Sequence, residues 1–263
     1  MRLFWELVKL AFRRQLTYRA ANLAGLATNF FFGLLRAAVL VALYGTRREV
    51  TGIPLDAAIT YTGLTQALIA FLSLFNWYEV MNTVYSGDIA SDMLKPLDYF
   101  TFWLAQDLGR AVASLLVRGV PIVAAYALIF DVTLPRSGGQ WLALGVALTF
   151  SWLVSFSWRF LVNLAAFWTP DARGVGRFAF GLSWFLSGFL MPLRFFPDWF
   201  VRLCNMTPFP SMVNTFVEVY LGVIRGPELV VALLGQLLWV LILFSACQIV
   251  LRAGVRKLVI QGG

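Results

Sequence analysis

Six long apolar runs constrain the fold of this chain, at about residues 21–44, 57–79, 108–130, 141–168, 176–193 and 228–251. A helix needs about 20 mostly apolar residues to cross the hydrocarbon core of a bilayer. Of the 263 residues, 60% are hydrophobic and 13% are charged. A soluble domain of this composition would expose large apolar patches and aggregate. The runs predict an all-α integral membrane protein with six transmembrane helices in a single transmembrane domain, residues 1–263.

The distribution of basic residues predicts the orientation of these spans. With the N-terminus in the cytosol, eleven Lys and Arg residues fall in cytosolic segments and six in outer segments. Cytosolic segments of membrane proteins carry an excess of Lys and Arg. We therefore expect a multi-pass protein of the cell membrane with both termini cytosolic. Because the basic residues are spread along an apolar chain, the net charge of +8 does not predict nucleic acid as a partner.

Residues 1–20 predict an amphipathic helix that lies on the membrane surface. Leu3, Leu7, Leu10 and Ala11 recur at helical spacing, and five basic residues occupy other positions of the segment. Such a helix buries its apolar face in the interface and attracts anionic lipid headgroups. Membrane lipid is therefore an expected partner.

The sequence offers little for catalysis or for metal binding. It has no His, and its two cysteines, Cys204 and Cys247, are far apart. No GxxxxGK[ST] phosphate loop is present, and the glycine cluster at 173–177 lacks the Lys-Ser/Thr that would complete one. We expect no catalytic residue, metal site or cofactor in this chain, so it cannot hydrolyse ATP alone.

Three aspartates follow the second apolar run. Asp88, Asp92 and Asp98 would be costly in hydrocarbon, so they mark an excursion into water between spans 2 and 3. The predicted orientation places this segment in the cytosol. It is either a solvated connection or a docking helix for a soluble partner.

Residues 86–97 have the pattern of a short amphipathic helix. The apolar residues at 89, 93, 94 and 97 have i, i+4, i+5, i+8 spacing. Gly87 allows the chain to turn into this helix, and Pro96 ends it.

The segment between spans 5 and 6 is too apolar and aromatic for an ordinary loop. Its four prolines prevent one continuous helix, so residues 190–222 predict an outer re-entrant hairpin of two short helices. The alternative is an interfacial segment that does not re-enter. The prolines are Pro192, Pro197, Pro208 and Pro210, and the aromatic residues suited to an interface are Phe195, Phe196, Trp199 and Phe209.

Charged residues inside the predicted spans should face protein, water or an interface, because a central charge costs at least about 2.5–3.5 kcal/mol on insertion scales. Arg118 and Arg159 either line a route for an anionic or amphipathic substrate, or snorkel and tie helices together. Asp107 and Arg110 are three residues apart, so we expect them to share a helix face and to pair.

Small residues recur in the fifth apolar run. Ser183 and Ser187 are four residues apart, and Gly181 and Gly188 flank them. Small residues at this spacing permit close helix approach. They serve either the pairing of two protomers or packing within one chain.

Together these features resemble the membrane subunit of ABC-2-type ATP-binding cassette exporters. A basic amphipathic helix precedes span 1. Residues 87–100, GDIASDMLKPLDYF, fit the family's pattern of Gly, a small amphipathic helix and Leu-(Arg/Lys)-Pro-Leu. Residues 188–209, GFLMPLRFFPDWFVRLCNMTPF, fit its Gly, Pro, Pro-x-Trp, Thr-Pro-Phe pattern. The resemblance covers nearly the whole chain and is nearest to the small six-span permeases that work with a separate ATPase.

The resemblance implies a half-transporter that pairs with a second, identical or different, permease protomer. It also implies cytosolic ABC ATPase subunits, which bind ATP and Mg²⁺ and contact the permease through a coupling helix. The residues that match this helix are Gly87, Asp88, Ile89, Asp92, Met93, Leu94, Lys95 and Pro96. The outer hairpins of two protomers would line or close the exit, with Pro192, Phe195, Phe196, Pro197, Trp199 and Pro208 as gate candidates.

The main alternative is a stand-alone secondary transporter or channel. No carboxylate lies clearly mid-span as a proton or sodium relay, since Asp107 is near a predicted membrane edge. A membrane enzyme is a further alternative, but this sequence offers little in the way of catalytic groups. A scaffold for another complex is a further alternative.

Overall fold

The computed structural model describes residues 1–75, 77–169 and 171–257. Within these ranges the chain is helical except for its connections and one small antiparallel hairpin of β1 (Glu49–Val50) and β2 (Ile53–Pro54). The prediction of an all-α membrane protein is confirmed.

Five helices of the described residues are long and apolar enough to cross a bilayer. The third runs from Tyr99 to Ile129 through helix α6, a π-helical turn and helix α7, and the fourth ends in a 3₁₀ turn at Phe167. The elements are α2 (Arg19–Tyr44), α3 (Leu55–Leu72), α6 (Tyr99–Ser114), the π-turn (Leu115–Gly119), α7 (Val120–Ile129), α8 (Gly138–Asn163) and α12 (Pro227–Val255).

Six shorter helices complete the described chain. They are α1 (Arg2–Thr17), α4 (Glu79–Ser86), α5 (Ile89–Met93), α9 (Arg173–Leu186), α10 (Asp198–Asn205) and α11 (Asn214–Leu221). Two 3₁₀ turns, Leu193–Phe195 and Phe209–Ser211, lie beside α10 and before α11.

The predicted fifth span, 176–193, has a different structure. Helix α9 is 14 residues long, which is shorter than the roughly 20 residues needed for a full crossing. Gly188 follows it with a φ of 77°, a left-handed conformation that turns the backbone out of the helix. The count of six spans therefore stays a prediction.

Helix α3 lies at the centre of the fold, and nearly all of its residues are buried. Two glycines allow this close packing. The ring of Tyr126 in α7 occupies the space in which a Cβ of Gly63 or Gly33 would lie. Helices α2, α3 and α7 thus approach each other through small residues, as is common between membrane helices.

The outer faces of α2 and α12 are apolar and exposed. Little of either helix is buried within the chain. These faces are suited to lipid or to another protein in the membrane. They include Phe31, Phe32, Leu35 and Val39 of α2 and Val231, Leu234, Leu238 and Leu241 of α12.

The N-terminal helix α1 packs along α6. Ala11 is buried in this contact, and Gly109 of α6 lies so near α1 that a Cβ would overlap the carbonyl oxygen of Val8. Basic residues such as Arg13 and Arg14 remain exposed. Contact with the membrane surface, expected for residues 1–20, stays a prediction.

We expect the substitution Gly109→Ala to destabilise the protein by about 1–3 kcal/mol, because the added methyl group would overpack the contact between α1 and α6. Gly145→Ala is the matched control, since Gly145 is also inside a long helix but has no atom of another element within 4 Å of the place its methyl group would take. The control should stabilise its helix by about 1 kcal/mol. Denaturant unfolding in mixed micelles would measure both, and equal stabilities would contradict the packing described.

Candidate functional site

The predicted coupling helix, residues 86–97, contains α5 and follows α4, and residues 79–97 together are called the candidate coupling segment. Helix α4 ends at Ser86, and Gly87 has a φ of 80°, which favours glycine and redirects the chain into α5. The hydroxyl of Ser86 donates to the Asp88 carboxylate at 2.7 Å, and the hydroxyl of Ser91 donates to the Asp88 carbonyl. Local hydrogen bonds therefore hold the turn.

The first residue of α5, Ile89, is buried, whereas Leu94, the residue directly after α5, is exposed. Ile89 is 1% exposed and packs in a cluster that includes Trp77, Tyr99 and Phe100. Leu94 is 87% exposed, and Met93 is partly buried. The single apolar face expected from the spacing does not form, because α5 ends at Met93 and Leu94 leaves the helical repeat.

The charged residues of the segment have separate local roles. Lys95 pairs with Asp92 at 2.6 Å, and its ammonium group lies 3.9 Å from the ring centre of Phe102. Asp98 accepts a hydrogen bond from the Thr101 amide at 2.9 Å and so caps α6. Asp92 is buried, whereas the exposed surface of the segment consists of Asp88, Leu94, Lys95 and Pro96.

A buried amide joins this segment to α8. The side-chain oxygen of Asn163 accepts from the amide of Met81 at 3.0 Å, and its nitrogen donates to the carbonyl of Trp77 at 2.9 Å. A rigid-body displacement of α4 would therefore carry the end of α8 with it.

Next to this amide lies a buried ionic cluster centred on Asp107. Arg159 binds both carboxylate oxygens at 3.1 and 2.9 Å, and Arg110 donates to one of them at 2.9 Å. The indole of Trp152 donates to the other oxygen at 2.8 Å. The expected pair of Asp107 with Arg110 is confirmed, and Arg159, which is 1% exposed, joins it from α8.

The cluster also caps the end of α3. Arg110 donates to the carbonyls of Ala70 and Phe71 at 2.7 and 3.0 Å, and Ser155 donates to the carbonyl of Leu72 at 2.8 Å. The last carbonyls of a helix have no partner within it and need such donors when buried. Three long helices, α3, α6 and α8, thus meet at one set of polar contacts.

The segment after α9 is bonded to the bundle in a similar way. Arg36 of α2 donates to the carbonyls of Phe189 and Leu190 and to the hydroxyl of Thr65. Tyr61 of α3 donates to the carbonyl of Gly188 at 2.5 Å. These bonds satisfy backbone groups that the helix no longer pairs.

Helix α11 is buried between α3 and α8. The side-chain oxygen of Asn214 accepts from Tyr61 and from the amide of Leu193, while Glu218 pairs with Arg194 at 2.7 Å. Of the gate candidates, Trp199 is 63% exposed. The others have these positions: Pro192 and Pro208 are buried, Pro197 precedes α10, Phe195 contacts Tyr44, and Phe196 stacks near Phe200.

Arg118 lies in the π-turn, three residues before Pro121. Such turns are frequent at functional sites. Its guanidinium donates to the side chain of Asn22 at 2.9 and 3.2 Å and to the carbonyl of Ala21. It lines a polar cavity of about 370 Å³ between α1, α2 and α6. The two candidate membrane arginines thus occupy different environments, because Arg118 faces a cavity and Arg159 is enclosed by protein.

The family model described as "ABC-2 family transporter protein" matches residues 30–262. The chain belongs to the ABC-2 transporter family. This ABC-2 permease is therefore a membrane transport subunit, of a family that works with ABC ATPases. Comparison with curated proteins and with solved structures gave no match.

Several contacts of this permease were not foreseen from its sequence. Asn163 can be expected from the sequence to join helices, as a polar residue in a predicted span, but only the tertiary structure shows that it binds Trp77 and that Trp152 binds Asp107. A signal was present for Arg36, because an arginine inside an apolar span needs a partner. The partner is backbone about 150 residues away, which no local pattern indicates.

We expect Asp107→Asn to destabilise the permease by about 3–5 kcal/mol, because the Arg159 guanidinium would remain buried without a compensating charge. Glu6→Gln removes the partner of an exposed pair with Lys9 and should cost at most about 1 kcal/mol. Denaturant unfolding in mixed micelles would compare the two variants. A similar small loss in both would show that the cluster does not hold the three helices together.

Proposed function

We propose that this permease is the membrane subunit of an ATP-driven exporter of the cell membrane, with both termini in the cytosol. Its ATP would be hydrolysed by a separate cytosolic ABC ATPase. The observation that carries the proposal is the structure of residues 79–97. Leu94 is exposed on one side of this segment, and Asn163 of α8 holds the other side by hydrogen bonds. A coupling element needs both a docking surface and a stiff connection.

The force from the ATPase would enter at the exposed surface of Asp88, Leu94, Lys95 and Pro96. Ile89 would transmit it to the aromatic cluster, because this side chain is enclosed there. The Asn163 contacts would pass it to α8.

From α8 the displacement would reach the Asp107 cluster. Arg159 connects α8 to α6, and Arg110 connects α6 to the end of α3. A tightly packed interior transmits strain because it is difficult to compress. ATP can drive the cycle only if it binds the inward-open and outward-open states with different affinity.

A second permease protomer, identical or different, would complete the pathway. The apolar outer faces of α2 and α12 offer area for such a contact or for lipid. The segment 190–222 would form the outer hairpin that closes the exit. The bond of Arg36 to the Leu190 carbonyl and that of Tyr61 to the Asn214 side chain would let movements of α2 and α3 reach it.

The alternative is a secondary transporter or channel that works without an ATPase. The bonding of Asp107 weighs against it, because both carboxylate oxygens already accept hydrogen bonds from Arg110, Arg159 or Trp152. A proton or sodium relay requires a carboxylate that can exchange its partner during the cycle.

We expect Leu94→Glu to reduce nucleotide-driven transport at least about tenfold, since a charge would replace an apolar contact at the ATPase interface. The measurement is ATP-dependent uptake of the cargo into inside-out vesicles that contain the permease and the ABC ATPase with which it is purified. Leu134→Glu is the matched control, because Leu134 is 60% exposed in the 131–137 connection, away from residues 79–97.

Insertion of both variants would be checked by their yield in the membrane fraction. Wild-type transport by Leu94→Glu would refute the docking assignment. Full transport by the permease alone, without nucleotide, would support the secondary transporter instead.

A further inference from the structure

The cavity of about 370 Å³ beside Arg118 is built from five parts of the chain. Helices α1, α2 and α6, the π-turn and the residues that begin α4 all contribute to its wall. Its wall includes three arginines, Arg14, Arg110 and Arg118, and two carboxylates, Glu79 and Asp107, together with Gln15, Tyr18 and Gln106. Its volume is within the range of small-ligand sites, about 300–1,000 Å³.

The three arginines of the cavity wall differ in whether a carboxylate pairs with them. Within residues 1–75, 77–169 and 171–257, no carboxylate lies within ion-pair distance of Arg14 or Arg118. Arg110 is paired, because Asp107 and the carbonyls at the end of α3 occupy its guanidinium. In the part of the chain that the structure describes, the cavity therefore holds two cations whose charge is not paired directly.

The position of Arg118 is fixed by its surroundings. The side-chain oxygen of Asn22 accepts two hydrogen bonds from the Arg118 guanidinium. The side-chain nitrogen of Asn22 donates to the backbone carbonyl of Gln15 at 2.9 Å, which holds Asn22 in place. Gly25 leaves the space that the guanidinium occupies, since a Cβ there would lie 2.7 Å from its nitrogen. The side chain is thus prepared before any ligand binds, which lowers the entropic cost of binding.

We propose that this cavity binds a phosphate-bearing group, with Arg14 and Arg118 as its direct ligands. Arginine matches phosphate geometry and donates from several nitrogen atoms. Two arginines and Gln106 on different elements can approach a tetrahedral anion from separate directions. A planar carboxylate would be satisfied by one of them.

Two carboxylates of the cavity wall oppose such a ligand, and Glu79 is the one without an ion-pair partner among the described residues, since Asp107 is bound by Arg110 and Arg159. The Glu79 carboxylate lines the same cavity and, in its charged form, repels an anion. The surrounding protein desolvates this group, and together with the Asp107 carboxylate it raises the pKa of Glu79. Removal of the Glu79 charge should therefore strengthen binding, which is the opposite of the effect expected for the arginines.

The site lies beside residues 79–97, because a second opening shares Arg14, Glu79 and Gln106 with it and continues to Asp88 and Asp92. This proposal depends on the proposed function in one respect only, namely that this opening faces the cytosol. The phosphate could belong to a lipid headgroup or to a free molecule, and these two sources differ in whether acyl chains are needed.

Binding would be measured with the purified permease in phosphatidylcholine nanodiscs without an ATPase. The probes are inorganic phosphate and phosphatidic acid, and their binding would be followed by native mass spectrometry. At pH 8 we expect Arg14→Gln and Arg118→Gln to weaken binding at least about tenfold. Glu79→Gln should strengthen it, and Arg252→Gln, an exposed arginine of α12, should leave it unchanged.

Arg14 is exposed, so its variant should fold even if the Arg118 variant does not. Binding of phosphatidic acid alone would support a lipid headgroup, and binding of both probes would support a free phosphate group. Binding of neither probe, or binding that is insensitive to both arginines, would overturn the proposal. Leu94→Glu should bind like the wild type, so failure of the exporter assignment remains distinguishable from failure of this site.

Discussion

The structure depends on one buried ionic contact, that of Asp107 with Arg110 and Arg159. A charge inside an apolar bundle is costly unless it is paired and hydrogen-bonded. Here the two arginines and an indole satisfy the carboxylate, while Arg110 also caps α3. The requirement to bury no unpaired charge therefore fixes how the end of one span and two further long helices meet.

The same requirement explains the irregular parts of the fold. Where α3 and α9 end inside the bundle, side chains from other helices satisfy the free backbone groups. Non-helical backbone in a membrane protein is tolerated where protein covers it in this way. The two segments assigned to the transport mechanism are attached to the bundle by such bonds. Asn163 binds the segment 79–97, and Arg36 binds the segment 190–222.

The polar cavity beside Arg118 differs from this cluster in one physical respect. The two arginines around Asp107 share its carboxylate, whereas no carboxylate of the described residues lies within ion-pair distance of Arg14 or Arg118. One arrangement resists change and suits a mechanical connection. The other leaves charge available and suits a ligand. The two lie side by side on α6, so occupancy of the cavity and movement of residues 79–97 are positioned to influence each other.

The sequence by itself determined the membrane class, most of the long helices, the family and the Asp107–Arg110 pair, because apolar runs and i, i+3 spacing are local signals. Only the tertiary structure decided that α9 stops short, that Leu94 faces away from Ile89, and that Arg159 is enclosed while Arg118 lines a cavity. These outcomes depend on partners up to about 150 residues away, such as Arg36 for the backbone after α9. Local patterns show that a buried polar group needs a partner, but they do not show which one the packing supplies.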